Sequence, residues 1–137
     1  MQDILMNIIG CFLMYRGELV LLRRHLHKPR GGTWGLPAGK VEKNETFDDA
    51  MIRELYEETG CLVKPMEIDS LGEFVFGQES EEYRFIAYKV KLDEKPELKI
   101  EEDAHSEAIW ITPQDCMKRR DLVPDLAELV RKVKSAL

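Results

Sequence analysis

The order and spacing of apolar residues predict an α/β fold in which a mixed β-sheet is flanked by helices. Segments of strand length and segments of helical period are mixed along the chain, and a hairpin pattern precedes the first helix. A chain of 137 residues with 44% apolar and 34% charged residues can bury one core but not comfortably two. We therefore expect a single domain over residues 1–137.

The first predicted elements form a β-hairpin. Residues 4–15 and 18–24 are rich in Ile, Leu, Val and Phe, and the "RG" between them offers an easy turn. The basic segment "RRHLHKPRGGTWG" follows, and its proline and glycines predict an irregular loop. A loop of this length is a candidate for function.

A helix is predicted over residues 46–59. Thr46 is suited to cap its start, and Gly60 is placed to end it. At about 100° per residue, one side of this helix is apolar and should pack on the sheet. That side consists of Phe47, Met51, Ile52 and Leu55.

The second half of the chain predicts three strands and two helices. The strands lie in "SLGEFVFG", "YRFIAYKVKL" and "EAIWIT", and the middle one is apolar on both faces, which is typical of a central strand. Thr112 and Pro113 predict a helix start. A last helix lies in "VPDLAELVRKVKSAL", with an apolar face of Leu126, Leu129, Val130 and Val133.

Composition narrows the class of partner. A net charge of -6 and a pI near 5.2 argue against broad binding of nucleic acid, which needs a basic face. The three widely spaced cysteines predict neither a disulfide framework nor a zinc site, so we expect a reducing, cytoplasmic location. The early apolar run, interrupted by Asn7 and Gly10, is too short to span a membrane and lacks a basic leader. A homodimer is compatible with the sequence.

The most unusual feature is the group of acids near the end of the first helix. Glu54, Glu57 and Glu58 fall beside its apolar face, and like charges there are unfavourable, above all at the negative end of the helix dipole. Two interpretations follow. The pair of adjacent glutamates is an ordinary solvated surface, or the carboxylates bind a hard divalent cation that also takes phosphate oxygens.

The residues around these acids form the pattern G-x₅-E-x₇-R-E-L-x-E-E-x-G-C from Gly39 to Cys61. In this spacing and order the chain resembles the Nudix hydrolase family. Two departures from the family pattern are Cys61, where an aliphatic residue is usual, and Ala38, where many members have glycine. A small buried cysteine can replace the aliphatic residue. The resemblance therefore favours the cation.

The resemblance implies an α/β/α sandwich and hydrolysis of a nucleoside diphosphate linked to another group, with Mg²⁺ or Mn²⁺ essential. Gly39, Glu54, Glu57 and Glu58 would form the metal site, and Arg53 would orient Glu57 or Glu45. Gly39 serves either the backbone shape of a turn or the approach of a carbonyl to the metal. The general base is left open among Glu54 and the downstream acids, with Glu54 or Glu102 favoured; the other acids are Glu101, Asp103 and Glu107.

Three residues are candidates for contact with substrate. Arg23, at the end of a strand, could bind phosphate, and Trp34 and Tyr83 could stack on a base. Core packing is the alternative for Trp34, and a solvated loop is the alternative for the neighbouring basic residues. Arg24, Lys28 and Arg30 are those residues.

The expected substrate is a nucleoside triphosphate or a modified nucleotide, a small molecule rather than a nucleic acid or membrane. In the family, a proline or a tyrosine some way beyond the box is associated with ADP-ribose or diadenosine polyphosphates, whereas this chain has Gly77 and Gln78 there. The alternatives are hydrolysis of ADP-ribose, a nucleotide sugar or a dinucleoside polyphosphate. A non-catalytic module that senses a nucleotide is a further alternative, although the glutamates it would be expected to lose are all present.

Overall fold

The computed structural model describes residues 5–137 and contains a mixed sheet with helices on both faces. Its strands are β1 (Met6–Tyr15), β2 (Glu18–Arg24), β3 (Trp34–Gly35), β4 (Ala38–Lys40), β5 (Asp69–Phe76), β6 (Tyr83–Leu92) and β7 (His105–Ile111). Its helices are α1 (Phe47–Thr59), α2 (Pro113–Met117) and α3 (Leu126–Val133). Residues 1–4, and with them the first residue of the predicted hairpin, lie outside the described residues.

Strand β1 organises the sheet. It runs parallel to β6 from Met6 opposite Tyr83 to Tyr15 opposite Leu92. Its other edge is shared, because β4 pairs with its first half and β2 with its end, both antiparallel. β6 lies between β1 and β5, so the prediction that this strand is central is confirmed.

The predicted hairpin is confirmed between β1 and β2. Arg16 and Gly17 both have positive φ, 47° and 79°, as a two-residue turn between twisted antiparallel strands requires. β2 pairs with β3 and with the later strand β7, both antiparallel. After β3 the chain returns to β1, where β4 pairs with it and Gly39 lies opposite Ile9.

Alternation along β1 divides the core into two layers. Phe12 and Met14 pack with α3 on one face, while Cys11 and Leu13 pack with α1 on the other. The sheet is therefore enclosed by α1 on one side and by α2 and α3 on the other. This arrangement confirms the predicted α/β/α sandwich.

The helix ends follow the predicted capping residues. Thr46 Oγ1 accepts a hydrogen bond from Asp49 N at 3.1 Å, and Gly60 ends α1 in the left-handed conformation with φ 79°. α3 starts at Leu126, later than the start of the predicted segment, and its four predicted apolar residues are all buried. Within residues 5–137, no helix combines the length and apolar character needed to cross a bilayer.

Candidate active site

Helix α1 and strand β4 bring two acidic side chains against a backbone with no room for a larger residue. Glu58 Oε1 accepts a hydrogen bond from Ala38 N at 2.7 Å. A Cβ atom at Gly39 would overlap the Glu54 carboxyl group. Gly39 lies within β4 rather than at a turn, so glycine is required here by the close approach of Glu54.

Arg53 bridges several of the acidic side chains. Its Nε and Nη2 donate to the two carboxyl oxygens of Glu45 at 2.7 and 3.0 Å. Its Nη1 donates to Glu54 at 2.7 Å and to Glu57 at 3.3 Å. The predicted contacts with Glu45 and Glu57 are present, and the contact with Glu54 is additional. A fork of charge-assisted bonds of this kind fixes carboxylate geometry.

The charges in this cluster act on one another strongly. The hydrogen bond from Arg53 lowers the pKa of Glu45 below its usual range. Burial raises the pKa of Glu54, although Arg53 opposes the shift. Burial also raises the pKa of Glu58 to about 8; the Ala38 N–H opposes this shift and the charges of Glu54, Glu101 and Glu57 add to it.

The carboxylate oxygens of Glu54, Glu57 and Glu58 fit a hard divalent cation. In the described part of the chain, no three His, Cys, Asp or Glu side chains already converge as a complete metal cage. Glu54 and Glu58 are half-buried next to the Gly39 backbone, and Glu57 stands at the surface beside them. Mg²⁺ usually takes one or two carboxylates and completes its shell with water and phosphate oxygens. A positive ion would also stabilise the charged forms of Glu54 and Glu58, whose pKa values burial and the neighbouring acids raise.

The loop before β7 places one further acid near this cluster. Lys99 N donates to Thr59 O at 2.8 Å, which ties the loop to the end of α1. The charge of Glu101 acts on both Glu54 and Glu58. Glu102, which together with Glu54 was favoured from the sequence as general base, lies in the exposed turn that follows. The position of the loop therefore favours Glu101 over Glu102 as the acid next to the helix.

A cleft of about 860 Å³ adjoins this cluster, with Glu58 in its lining. Glu58 and Ala38 line it, and the side chains of Tyr83 and Phe85 line it from β6. The rest of the lining comes from the basic loop, from the β5–β6 connection and from the start of α3. Among those residues are Arg24, Arg30, Phe76, Glu81, His105, Asp125 and Leu129.

The three predicted substrate contacts have different positions. Tyr83 lines the cleft, and its hydroxyl donates to Asp125 Oδ2 at 2.7 Å. Trp34 is only 6% exposed and packs in the core with Arg119 against its ring, so its face is not available to a base. Arg23 donates to Glu107 at 2.9 Å and lies outside the cleft lining. Of the three, only Tyr83 is therefore part of the cleft lining, and contact of Trp34 or Arg23 with a substrate stays a prediction.

Sequence reasoning missed several parts of the cleft. Asp125 was counted within the last helical segment, but it precedes α3 with a left-handed φ of 71°. His105 also lines the cleft; it is 6% exposed, and its Nδ1 is buried without a hydrogen-bond partner. The Pro124–Asp125 pair before an apolar run was the available signal for a non-helical Asp125.

Comparisons with known proteins agree with this geometry. A model of the NUDIX domain matches residues 5–133. The chain is 38% identical over 66 residues to "8-oxo-dGDP phosphatase NUDT18" of Mus musculus, covering 48% of this chain and 20% of that protein. It is 34% identical over 71 residues to "Uncharacterized Nudix hydrolase YvcI" of Bacillus subtilis, covering 52% of this chain and 42% of that protein. The matched segments thus span less than half of these two relatives.

A solved structure shares the whole fold. The MutT protein from Methanosarcina mazei Go1 superposes with a TM-score of 0.81 at 20% identity, covering 99% of this chain and 97% of that one. The match of a NUDIX model to nearly the full chain, together with the Gly39–Glu54 contact and the Arg53-bound acids, leads to one conclusion. The chain belongs to the Nudix hydrolase family.

Proposed function

We propose that the protein is a Mg²⁺- or Mn²⁺-dependent nucleotide pyrophosphohydrolase that acts on a nucleoside triphosphate or a modified nucleotide. The observation that carries this proposal is the location of the acids. Glu58 lines a large cleft, and Glu54 and Glu57 lie near it on the same helix, α1. A metal site beside a cleft large enough for an organic molecule suits a substrate that carries phosphates at one end.

The residues of the site divide the work between binding and positioning. Glu57 and Glu58, with Glu54, would hold the cation. When bound, Mg²⁺ neutralises phosphate oxygens and lowers the pKa of a coordinated water. Arg53 acts as a positioning residue, since it fixes Glu54 and Glu57 through Nη1 and is itself fixed by Glu45.

Glu101 is our choice for the general base. Glu54 already accepts a hydrogen bond from Arg53 at 2.7 Å, so this carboxylate is engaged in positioning and is less free to accept a proton from a water. Glu101 is exposed, and it lies near enough to Glu54 and Glu58 for its charge to act on both. It could therefore take a proton from a water held between the acids and the substrate.

The substrate class is supported by the relatives and the cleft together. The mouse relative is named a phosphatase of 8-oxo-dGDP, a modified nucleotide. The cleft joins an acidic end to aromatic side chains at Phe76, Tyr83 and Phe85, which suit a base. These features favour a nucleotide over a simple sugar phosphate or inorganic polyphosphate.

Replacement of Glu57 tests the metal site. Glu57→Gln keeps the shape of the side chain but removes its charge, so nucleotide hydrolysis with Mg²⁺ should fall by at least about 100-fold. Phosphate release from a nucleotide panel measures the loss, and the rise in Tm on adding Mn²⁺ measures metal binding without turnover. Glu94→Gln, at an exposed position away from the cleft, is the matched control and should behave as the wild type. Full activity of Glu57→Gln would contradict the metal assignment.

Adjacent glutamates test the choice of base. We expect Glu101→Gln to lower kcat by about 100-fold or more, because a positioned base contributes a factor of this order. Glu102→Gln, one residue further along in the exposed turn, should retain kcat within about 2-fold, since exposed changes of this kind are usually small. The reverse pattern would restore Glu102 as the base.

A further inference from the structure

A shift in strand pairing brings His105 into the cleft beside Arg24. In the ladder between β2 and β7, Arg23 lies opposite Glu107. The next residue, Arg24, lies opposite His105, so the ladder passes over Ser106. Regular alternation would place His105 on the same face as Glu107, whose partner Arg23 lies outside the cleft lining. The shift acts as a β-bulge, which redirects side chains, and both His105 and Arg24 line the cleft.

The His105 ring presents one unpaired nitrogen to the cleft. Its pKa is lowered to about 4, so the ring is neutral near pH 7. Nδ1 is the only buried side-chain nitrogen or oxygen without a hydrogen-bond partner in residues 5–137. Nε2 has no partner there either and is therefore the accessible nitrogen. Orphaned buried N–H groups are rarer than orphaned acceptors, which places the single ring proton on Nε2 and makes Nε2 a donor.

The charges that act on this ring are positive. Burial is the largest cause of the lowered pKa of His105, and the charges of Arg24 and Lys28 follow. Arg24 Nε donates to Pro29 O at 2.8 Å, which fixes the guanidinium and leaves its two Nη groups without a partner among residues 5–137. No carboxylate in that range forms an ion pair with Arg24 or Lys28. A group of N–H donors with uncompensated positive charge suits an anion that carries several acceptor oxygens, such as phosphate.

We propose that His105 is a substrate-binding residue whose Nε2–H donates to the terminal phosphate of a nucleoside triphosphate, next to Arg24 and Lys28. This inference rests on the proposed nucleotide hydrolysis and specifies the number of phosphates in its substrate. In the proposed function, the cation at Glu57 and Glu58 holds the two phosphates that flank the cleaved bond. A diphosphate has no phosphate beyond these two, whereas a triphosphate has one more. His105 therefore makes the enzyme prefer the triphosphate.

Comparison of a nucleoside triphosphate with its diphosphate tests this contact, with the most active nucleotide of the panel used in both forms. His105→Met should lower the triphosphate-to-diphosphate ratio of kcat/KM by about 10- to 100-fold, the range of one hydrogen bond to a charged group. His105→Gln places an amide donor near the position of Nε2 and should keep the ratio within about 3-fold of the wild type. His27→Met, at an exposed position outside the cleft lining, is the matched control and should keep the wild-type ratio.

Two kinetic results would overturn the role of His105 and leave the proposed function intact. One is a triphosphate-to-diphosphate ratio that is the same in His105→Met and the wild type. The other is a wild type that hydrolyses the two forms with equal kcat/KM.

Binding of inorganic pyrophosphate to the wild type separates this inference from the proposed activity and requires no folded variant. The titration is made in EDTA, so that no divalent cation contributes, and the His105 ring is followed by NMR. We expect its resonances to shift to saturation and its pKa to rise from about 4, because a bound anion stabilises the imidazolium. This response in a protein that hydrolyses no nucleotide would support the phosphate contact and overturn the proposed function alone. His105 resonances that stay unchanged at millimolar pyrophosphate would overturn the contact itself.

Discussion

At the scale of the residue, the site depends on contacts that leave no space for an added atom. Gly39 faces the Glu54 carboxyl group, and the Arg53 guanidinium fills the space between Glu45, Glu54 and Glu57. The need for Glu and Arg at these positions comes from charge, whereas the need for Gly comes from volume. Removing a charge and adding a methyl group should therefore impair the site by different mechanisms.

Gly39→Ala should inactivate the enzyme while the protein stays folded. The added Cβ would displace the Glu54 carboxyl group from β4. A shift of about 1 Å in a catalytic group can cost about 100-fold in rate, so we expect a loss of this order in kcat. Turnover and circular dichroism measure the two effects. Lys40→Ala changes an exposed side chain on the same strand and should leave both unchanged.

His105 should make stability depend on pH. Burial lowers its pKa from 6.5 to about 4, and the positive charges of Arg24 and Lys28 add to the shift. The unfolded chain therefore binds a proton at a higher pH than the folded protein does. The stabilisation is complete above about pH 6.5 and is lost as the pH falls toward 4.

Urea unfolding of the wild type and His105→Gln between pH 4 and 7.5 isolates this effect. The difference in unfolding free energy should change by about 1–3 kcal/mol over this range. His27→Gln, at an exposed position, serves as the control and should follow the wild type. A parallel pH dependence in wild type and His105→Gln would show that His105 is not the responsible group. An NMR titration of the His105 ring provides the same answer if the variant does not fold.

At the scale of the element, the end of α1 connects the helix that carries the acidic cluster to the loop with Glu101. Gly60 has a φ of 79°, and a Cβ there would lie 3.0 Å from Lys99 Cβ. Lys99 N also donates to Thr59 O. Gly60 therefore both ends the helix and leaves room for the Lys99 segment to pack against it. The sequence pattern of a C-terminal glycine reveals only the first of these roles.

A pair of glycine variants separates these two roles. Gly17 has the same φ of 79° in the hairpin turn, but a Cβ there would meet nothing within 4 Å. Gly17→Ala should cost about 1–2 kcal/mol from backbone strain alone, with kcat unchanged. Gly60→Ala should cost more and should also lower kcat, because Lys99 and the nearby Glu101 must move. Equal losses of stability and equal kcat in the two variants would show that the contact with Lys99 has no effect.

At the scale of the whole molecule, the cleft exists because α3 packs across the sheet beside β6. Leu129 lies on the buried face of α3 and also lines the cleft. The hydrogen bond from Tyr83 to Asp125 joins the same two elements. The core on this side and the cleft therefore share residues.

Leu129→Ala should weaken both the core and the cleft wall. Truncation of a leucine that is 2% exposed should cost about 2–5 kcal/mol of stability. KM should rise as well, since the cleft wall loses its packing. Leu62→Ala, at a position 76% exposed, should change stability by less than about 0.5 kcal/mol. Urea unfolding and steady-state kinetics measure both quantities, and a Leu129→Ala variant as stable as Leu62→Ala would contradict the shared core.

The sequence by itself determined the fold class, the hairpin, the bounds of α1 and the acidic cluster with Arg53. These features depend on local rules of capping, turn geometry and periodicity, and on a motif whose residues lie within three turns of a helix or just before it. Only the tertiary structure decided which distant residues meet those acids. It buried Trp34, directed Arg23 to Glu107, placed Glu101 where its charge acts on Glu54 and Glu58, and brought Asp125 to Tyr83. The physical reason is that the path of a loop and the rotation of a helix on a sheet follow from the packing of the whole core, which a single local pattern does not encode.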